Sequence, residues 1–143
     1  KYLVKEVSER KIITFGGAFS NHIAAAAALG KEFGIETLGI IRGDELENSW
    51  QENPTLSLAN KNGMTFRFVT REAYRDKETL MKDLQEEFPE SLVVPEGGTN
   101  ENAVEGIQFM LNEETQDFDY LCSAIGTGGT LSGISKFAES GER

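Results

Sequence analysis

Short apolar, β-rich runs alternate with helix-length segments, which predicts an α/β protein of parallel sheets with flanking helices. Two further observations point the same way. Glycine pairs end two of the apolar runs, at Gly16-Gly17 and Gly126-Thr127-Gly128-Gly129-Thr130. The helical segments start at capping residues and stop at Gly34, at Gly63 and before Pro89.

Lys1 to Glu9 reads as a helix with Tyr2, Leu3, Val4 and Val7 on one side. Ile12 to Phe15 is a short strand. Ser20 to Phe33 is a helix, with Ser20 as a candidate N-cap and Ala24 to Ala28 as strong helix formers. The alanine run also suits close approach to a sheet or cofactor. Glu36 to Arg42 is a buried strand, followed by a polar loop from Gly43 to Asn53. Pro54 to Asn62 is a helix with its proline near the start. Met64 to Val69 is a strand, Asp76 to Phe88 a helix and Ser91 to Val94 a strand. A loop at Glu96 to Thr99 leads to a helix over Asn100 to Asn112, with Thr99 or Asn100 as its cap. Phe118 to Ile125 reads as a buried strand with Cys122 as a small core residue, and Leu131 to Glu139 as the last helix. The seam between two lobes is expected at Phe88-Pro89-Glu90.

Of 143 residues, 38% are hydrophobic and 27% charged, which suits a folded globule. The net charge of -10 argues against nucleic acid and anionic membrane surfaces as partners. That charge is uneven: residues 1–71 sum to +1 and residues 72–143 to -11. A single cysteine excludes an internal disulfide framework. No apolar run reaches the roughly 20 residues of a membrane span, and no signal peptide is visible, so a soluble cytoplasmic protein is the expectation. The start at Lys1, with a helix already under way, suggests a piece of something larger.

Two loops are candidates for anions. Gly126 to Thr130 follows an apolar run and opens a helix, where free N–H groups and the helix dipole favour a phosphate. Thr127 and Thr130 add hydroxyl donors. Leu131 stands where a dinucleotide fingerprint needs a third small residue, and no Lys-Ser or Lys-Thr pair follows. A compact phosphorylated cofactor therefore fits better than a dinucleotide or ATP. The second loop runs from Thr14 through Gly16-Gly17-Ala18-Phe19 to Ser20-Asn21-His22. Ser20 alone would serve as a cap. Three adjacent polar side chains at a helix start suit a small carboxylate. His22 is the only histidine, so no multi-histidine metal site exists, and taken alone such a histidine is more often a packed or exposed residue than a ligand.

Thr14-Phe15-Gly16-Gly17-Ala18-Phe19-Ser20-Asn21-His22, Val94-Pro95-Glu96-Gly97-Gly98 and Gly126-Thr127-Gly128-Gly129-Thr130 resemble the 1-aminocyclopropane-1-carboxylate deaminase and D-cysteine desulfhydrase family. Its members are pyridoxal-phosphate (PLP) enzymes of fold type II, the tryptophan synthase β-like fold. The resemblance implies that Gly126, Thr127, Gly128, Gly129 and Thr130 cradle the PLP phosphate. It implies that Asn21 bonds the 3-hydroxyl of the cofactor ring. It implies that Ser20, the candidate catalytic residue, and its neighbours Asn21 and His22 hold the substrate. His22 stands where deaminases usually have Gln and desulfhydrase-like members often have His, which keeps both activities open.

The family holds PLP on a lysine in a Gly-Asn-Lys setting. None of Lys1, Lys5, Lys11, Lys31, Lys61, Lys77, Lys82 or Lys136 has that setting. The resemblance places this lysine just ahead of Lys1, so the chain alone is expected to be inactive. Residues 1–90 would be the small lobe with the substrate-carboxylate loop, and residues 91–143 the first part of the large PLP-binding lobe. The complete enzyme would be a homodimer acting on a small amino acid and releasing ammonia and a 2-oxo acid. The competing reading is a non-catalytic α/β module that binds a small phosphorylated or carboxylated ligand.

Overall fold

A computed structural model describes residues 11–98, 101–112, 115 and 118–138. The expected helix over Lys1 to Glu9 and the expected caps Thr99 and Asn100 lie outside the described residues. The described chain divides into two compact units, one up to Glu96 and one from Gly97 onward.

The first unit is a four-stranded parallel sheet of order β3-β2-β1-β4. Its strands are β1 (Lys11–Gly16), β2 (Glu36–Arg42), β3 (Thr65–Val69) and β4 (Ser91–Val94). β1 is the pivot. Ile13 pairs with Leu38 on one side and with Val93 on the other. Parallel strands need crossover connections, and helices supply them. Helices α1 (Asn21–Phe33) and α2 (Pro54–Lys61) precede β2 and β3 respectively. Helices α3 (Arg71–Arg75) and α4 (Lys77–Glu87) lie between β3 and β4.

The helices cover both faces of the sheet. Ile13, Phe15, Leu38 and Ile40 form one core with Tyr74 of α3 and Leu84 of α4. Ile41 and Met64 form the other with Ile23 and Ala27 of α1 and Leu56 and Ala59 of α2. Phe66 bridges Trp50 and Phe68 by edge-to-face contacts, with centroids 5.3 and 6.0 Å away. Burial on both faces explains why β2 is an unbroken apolar run rather than an alternating one.

The helix boundaries follow local chemistry. Asn53 caps α2 by accepting from the amides of Thr55 and Leu56, both at 3.0 Å, with Pro54 in the first turn. Gly34 ends α1 in the left-handed conformation, φ 66°. Asp76 caps α4. Between β3 and α4, Thr70 caps the short helix α3 by accepting from Ala73 N–H at 3.1 Å. Gly30, within α1, has a packing reason. A Cβ there would lie 2.4 Å from Thr37 Cγ2 and 2.7 Å from the Ile35 carbonyl. In the alanine run only Ala27 is fully buried, so the other alanines contribute mainly helix propensity.

β4 belongs to this sheet, and the unit ends after it at Glu96, beyond the expected seam at Phe88-Pro89-Glu90.

In the second unit, α5 (Glu101–Ile107) packs on α6 (Gly129–Ala138). A Cβ on Gly133 would sit 2.4 Å from Ile107 Cβ, and Lys136 pairs with Glu105. The expected buried strand over Phe118 to Ile125 is not present. The segment is irregular, and Phe118, Tyr120 and Ile125 are 66, 87 and 70% exposed. Cys122 is likewise exposed rather than a core residue. A strand exists only where another satisfies its N–H and C=O groups, and no described strand pairs with this one.

Gly30→Ala is expected to destabilise by about 1–3 kcal/mol in urea unfolding despite alanine's higher helix propensity, because the methyl overpacks the contact with β2. Thr37→Ser should recover part of that loss by removing Cγ2. Leu84→Ala should cost about 2–5 kcal/mol by the same measurement.

Candidate functional site

The strand order reverses beside β1: β2 and β3 lie on one side and β4 on the other. In open α/β sheets such a reversal opens a crevice beyond the carboxyl ends of the two strands, and ligands bind there. At this point β1 runs into Gly17, Ala18, Phe19 and Ser20, and β4 runs into Pro95 and Glu96.

Glycine shapes the exit from β1. A Cβ on Gly16 would lie 2.5 Å from Ile23 Cγ1 and 2.9 Å from Ser20 Oγ, so the helix start rests directly on strand backbone. The chain reverses with Ser20 N–H donating to Gly17 C=O at 3.1 Å. Ser20 is the N-cap of α1, and its hydroxyl accepts from Ile23 N–H at a long 3.4 Å. The amides of Asn21 and His22 have no acceptor within the helix, as in every helix first turn. Asn21 is exposed, and its side chain makes no hydrogen bond among the described residues. Ser20, Asn21 and His22 therefore stand together at one helix start with two amides and a carboxamide available.

His22 is not free in the same way. Its Nε2 lies 2.6 Å from the hydroxyl of Thr14, a fully buried residue in the middle of β1. That hydroxyl donates to Val94 C=O at 3.0 Å. A hydroxyl has one hydrogen, so Thr14 accepts from His22, which puts the imidazole hydrogen on Nε2 and leaves Nδ1 as the bare nitrogen. Burial pushes the imidazole below its ordinary value of 6.5, and the Glu96 carboxylate offsets this only in part. His22 is thus a neutral ring tied to both β1 and β4, with one nitrogen left for a ligand.

Glu96 closes the other side. Burial alone would raise its carboxyl, but Lys77, Tyr74 and Arg42 outweigh that and hold it below the usual carboxylate range. Lys77 forms an ion pair with it. The Tyr74 phenol sits beside the carboxylate without a hydrogen bond of normal geometry. Burial, and then the Glu96 charge, hold that phenol well above its ordinary value, so it stays protonated.

The second unit carries the other loop. Gly126, Thr127 and Gly128 bend into α6, which begins at Gly129, two residues earlier than the sequence suggested. Gly129 and Thr130 thus lie in its first turn. Gly128 has φ +88°, a conformation that favours glycine. Nothing lies within 4 Å of where a Cβ would sit on Gly126 or Gly128, so the backbone is open there. Gly97, φ +73°, packs on Thr127; a Cβ at Gly97 would lie 2.3 Å from the Thr127 hydroxyl oxygen. An open glycine loop entering a ten-residue helix is suited to a phosphate group.

The sequence placed every one of these residues at a helix start or glycine loop but missed Thr14, Tyr74 and Lys77 as supporting residues. The signal for Thr14 was available: a hydroxyl inside an otherwise apolar strand needs a partner. Tyr74 and Lys77 meet Glu96 only through the fold.

No family model matches the chain. A Thermotoga maritima protein, provisionally named a 1-aminocyclopropane-1-carboxylate deaminase, is 30% identical over 94% of this chain and 46% of its own length. An Arabidopsis thaliana protein, named a mitochondrial bifunctional D-cysteine desulfhydrase/1-aminocyclopropane-1-carboxylate deaminase, is 29% identical over 87% of this chain and 35% of its own. Among solved structures, an ACC deaminase homologue superposes with a TM-score of 0.67 at 24% identity, covering 94% of this chain and 42% of that one. Maize serine racemase superposes with a TM-score of 0.72 at 20% identity, covering 95% and 39%. The chain spans less than half the length of each of these proteins. In sequence this chain is similar to proteins named as 1-aminocyclopropane-1-carboxylate deaminases and a D-cysteine desulfhydrase, and in fold it matches part of an ACC deaminase homologue and of serine racemase.

Proposed function

We propose that the protein carrying this chain is a PLP-dependent lyase or deaminase. Its substrate is a small amino acid of the 1-aminocyclopropane-1-carboxylate or D-cysteine type. With water, the first would give a 2-oxo acid and ammonia; the second would also release hydrogen sulfide. The observation that carries this reading is the helix start at Ser20-Asn21-His22, set at the crevice where the strand order reverses.

The residues fit the group. Backbone amides of Gly126, Gly128 and Gly129, with the Thr127 and Thr130 hydroxyls, would hold a phosphate by hydrogen bonds and helix dipole. No lysine or arginine lies between Asp83 and Ser135, so this grip rests on backbone and hydroxyl groups. Bound there, PLP supplies the electron sink for bonds at the substrate α-carbon. Asn21 would orient the cofactor ring through its 3-hydroxyl. The free amides of Asn21 and His22, with the Ser20 hydroxyl, suit the substrate carboxylate. His22 Nδ1, neutral and lacking a proton, suits acceptance of a hydrogen bond from the substrate.

Adding PLP to the complete protein should produce the absorbance band of bound cofactor, and D-cysteine or 1-aminocyclopropane-1-carboxylate should then yield a 2-oxo acid. Asn21→Ala and Thr127→Ala should each weaken PLP binding by tenfold or more, read from that band. Unchanged spectra and kinetics in both would remove the assigned roles.

His22 gives an independent check. Nitrogen NMR, with His22→Gln to assign the signals, should show Nε2 protonated and Nδ1 bare at pH 7. Thr14→Val should relax that preference and cost about 1–3 kcal/mol by leaving the Val94 carbonyl unpaired. Because the folded-state value lies below 6.5, the unfolded chain binds more protons just under that pH. The His22 contribution to stability should therefore be intact above pH 6.5 and fall as pH drops below it, and His22→Gln should remove this slope.

A further inference from the structure

A cavity of about 570 Å³ opens at the carboxyl ends of β1, β2 and β3, within the first unit. Three arginines line it: Arg42, the last residue of β2, and Arg71 and Arg75, one turn apart on α3. Glu45 is the only acid in the lining, and it is already bound to Arg71 at 2.8 Å. That pairing holds the Glu45 carboxyl below its ordinary range. No carboxylate among the described residues forms an ion pair with Arg42 or Arg75.

The Arg42 and Arg75 guanidinium groups are placed differently, and Arg42 is also within the field of the Glu96 carboxylate. Arg42 stacks over the Tyr74 ring, 5.6 Å from its centroid, and its Nη2 lies 3.6 Å from where a Cβ on Gly17 would be. Arg75 is exposed at the far end of α3. Across from them, the Gly17-to-Ser20 turn uses the Ser20 amide for its own hydrogen bond and leaves the Ala18 and Phe19 amides outside it. Like charges gathered in one cavity repel unless an anion joins them. Planar guanidinium forks match carboxylate and phosphate oxygens two at a time. The volume exceeds what a bare ion needs and suits a small organic molecule. Leu46, Phe19 and the Tyr74 ring supply apolar wall for its body.

We propose that this cavity binds a small organic oxyanion, a molecule carrying a carboxylate or phosphate, gripped by Arg42 and Arg75 beside the Gly17-to-Ser20 turn. The inference rests on the first unit alone and does not depend on the cofactor reading. The anion comes either from a free effector or from a distal acidic group of the amino-acid substrate. In both cases it orders the turn that leads to Ser20 and Asn21.

The test is calorimetric titration of the complete protein with malonate and, separately, with glycerol 3-phosphate. At least one should bind saturably. Arg42→Gln with Arg75→Gln should weaken that binding tenfold or more, while the protein still unfolds cooperatively and retains the PLP absorbance band. Arg75→Gln alone, at an exposed position, should give a smaller loss in the same direction. Ser20→Ala and Thr127→Ala should retain the binding. Absence of saturable binding to either probe overturns the proposal. So does equal affinity in the double variant, or loss confined to Ser20→Ala or Thr127→Ala, which would move the anion to a helix start. A protein that binds the probe without binding PLP would uphold this inference while rejecting the proposed function. If the double variant raises KM only for amino acids with a distal carboxylate, the anion is the substrate's. If it abolishes malonate binding with KM unchanged, the anion is a separate effector.

Discussion

Strand β1 must satisfy hydrogen bonds on both edges and apolar contacts on both faces, and the rest of the first unit is arranged around that demand. Ile13 and Phe15 point into the core with α3 and α4. Gly16 points toward α1, where there is no room for a side chain. Thr14 is the single polar break. Its hydroxyl joins β1 to the Val94 carbonyl and receives the His22 ring. One buried hydroxyl thereby links the strand pair at the topological reversal to the helix start that carries the candidate binding groups.

Both candidate loops are rich in backbone amides. Each places a helix first turn after glycine, so backbone N–H groups rather than flexible cations would face a bound anion. These donors are preorganised and bring no net charge, which is compatible with a chain of net charge -10. Where cations do gather, at Arg42, Arg71 and Arg75, they do so at the carboxyl edge of the sheet in the less acidic half of the chain and just beyond it. Overall charge speaks to polyanionic partners and says little about a local pocket.

Much of the candidate site was legible residue by residue. Ser20 at an N-cap, the glycines before it and the Gly-Thr-Gly-Gly-Thr run carry local conformational meaning that survives into the structure. His22 was ambiguous because a lone imidazole has no periodic or spacing signal. Its tautomer became readable only once Thr14, eight residues earlier, was brought within 2.6 Å of it. Glu96 shows the same gap, since its low-lying carboxyl depends on Lys77, Tyr74 and Arg42 from three other elements.

The sequence by itself determined the αβ alternation, the helix caps and stops, and the glycine positions, because these are set by contacts within a few residues. Tertiary structure alone decided the strand order β3-β2-β1-β4, the tautomer of His22 and the gathering of the arginines. It also decided that Phe118 to Ile125, apolar enough to read as a strand, is not one among the described residues. The physical reason is common to all four. Strand pairing, proton sharing and charge clustering are relations between distant residues, and an apolar run becomes a strand only beside another that accepts its hydrogen bonds.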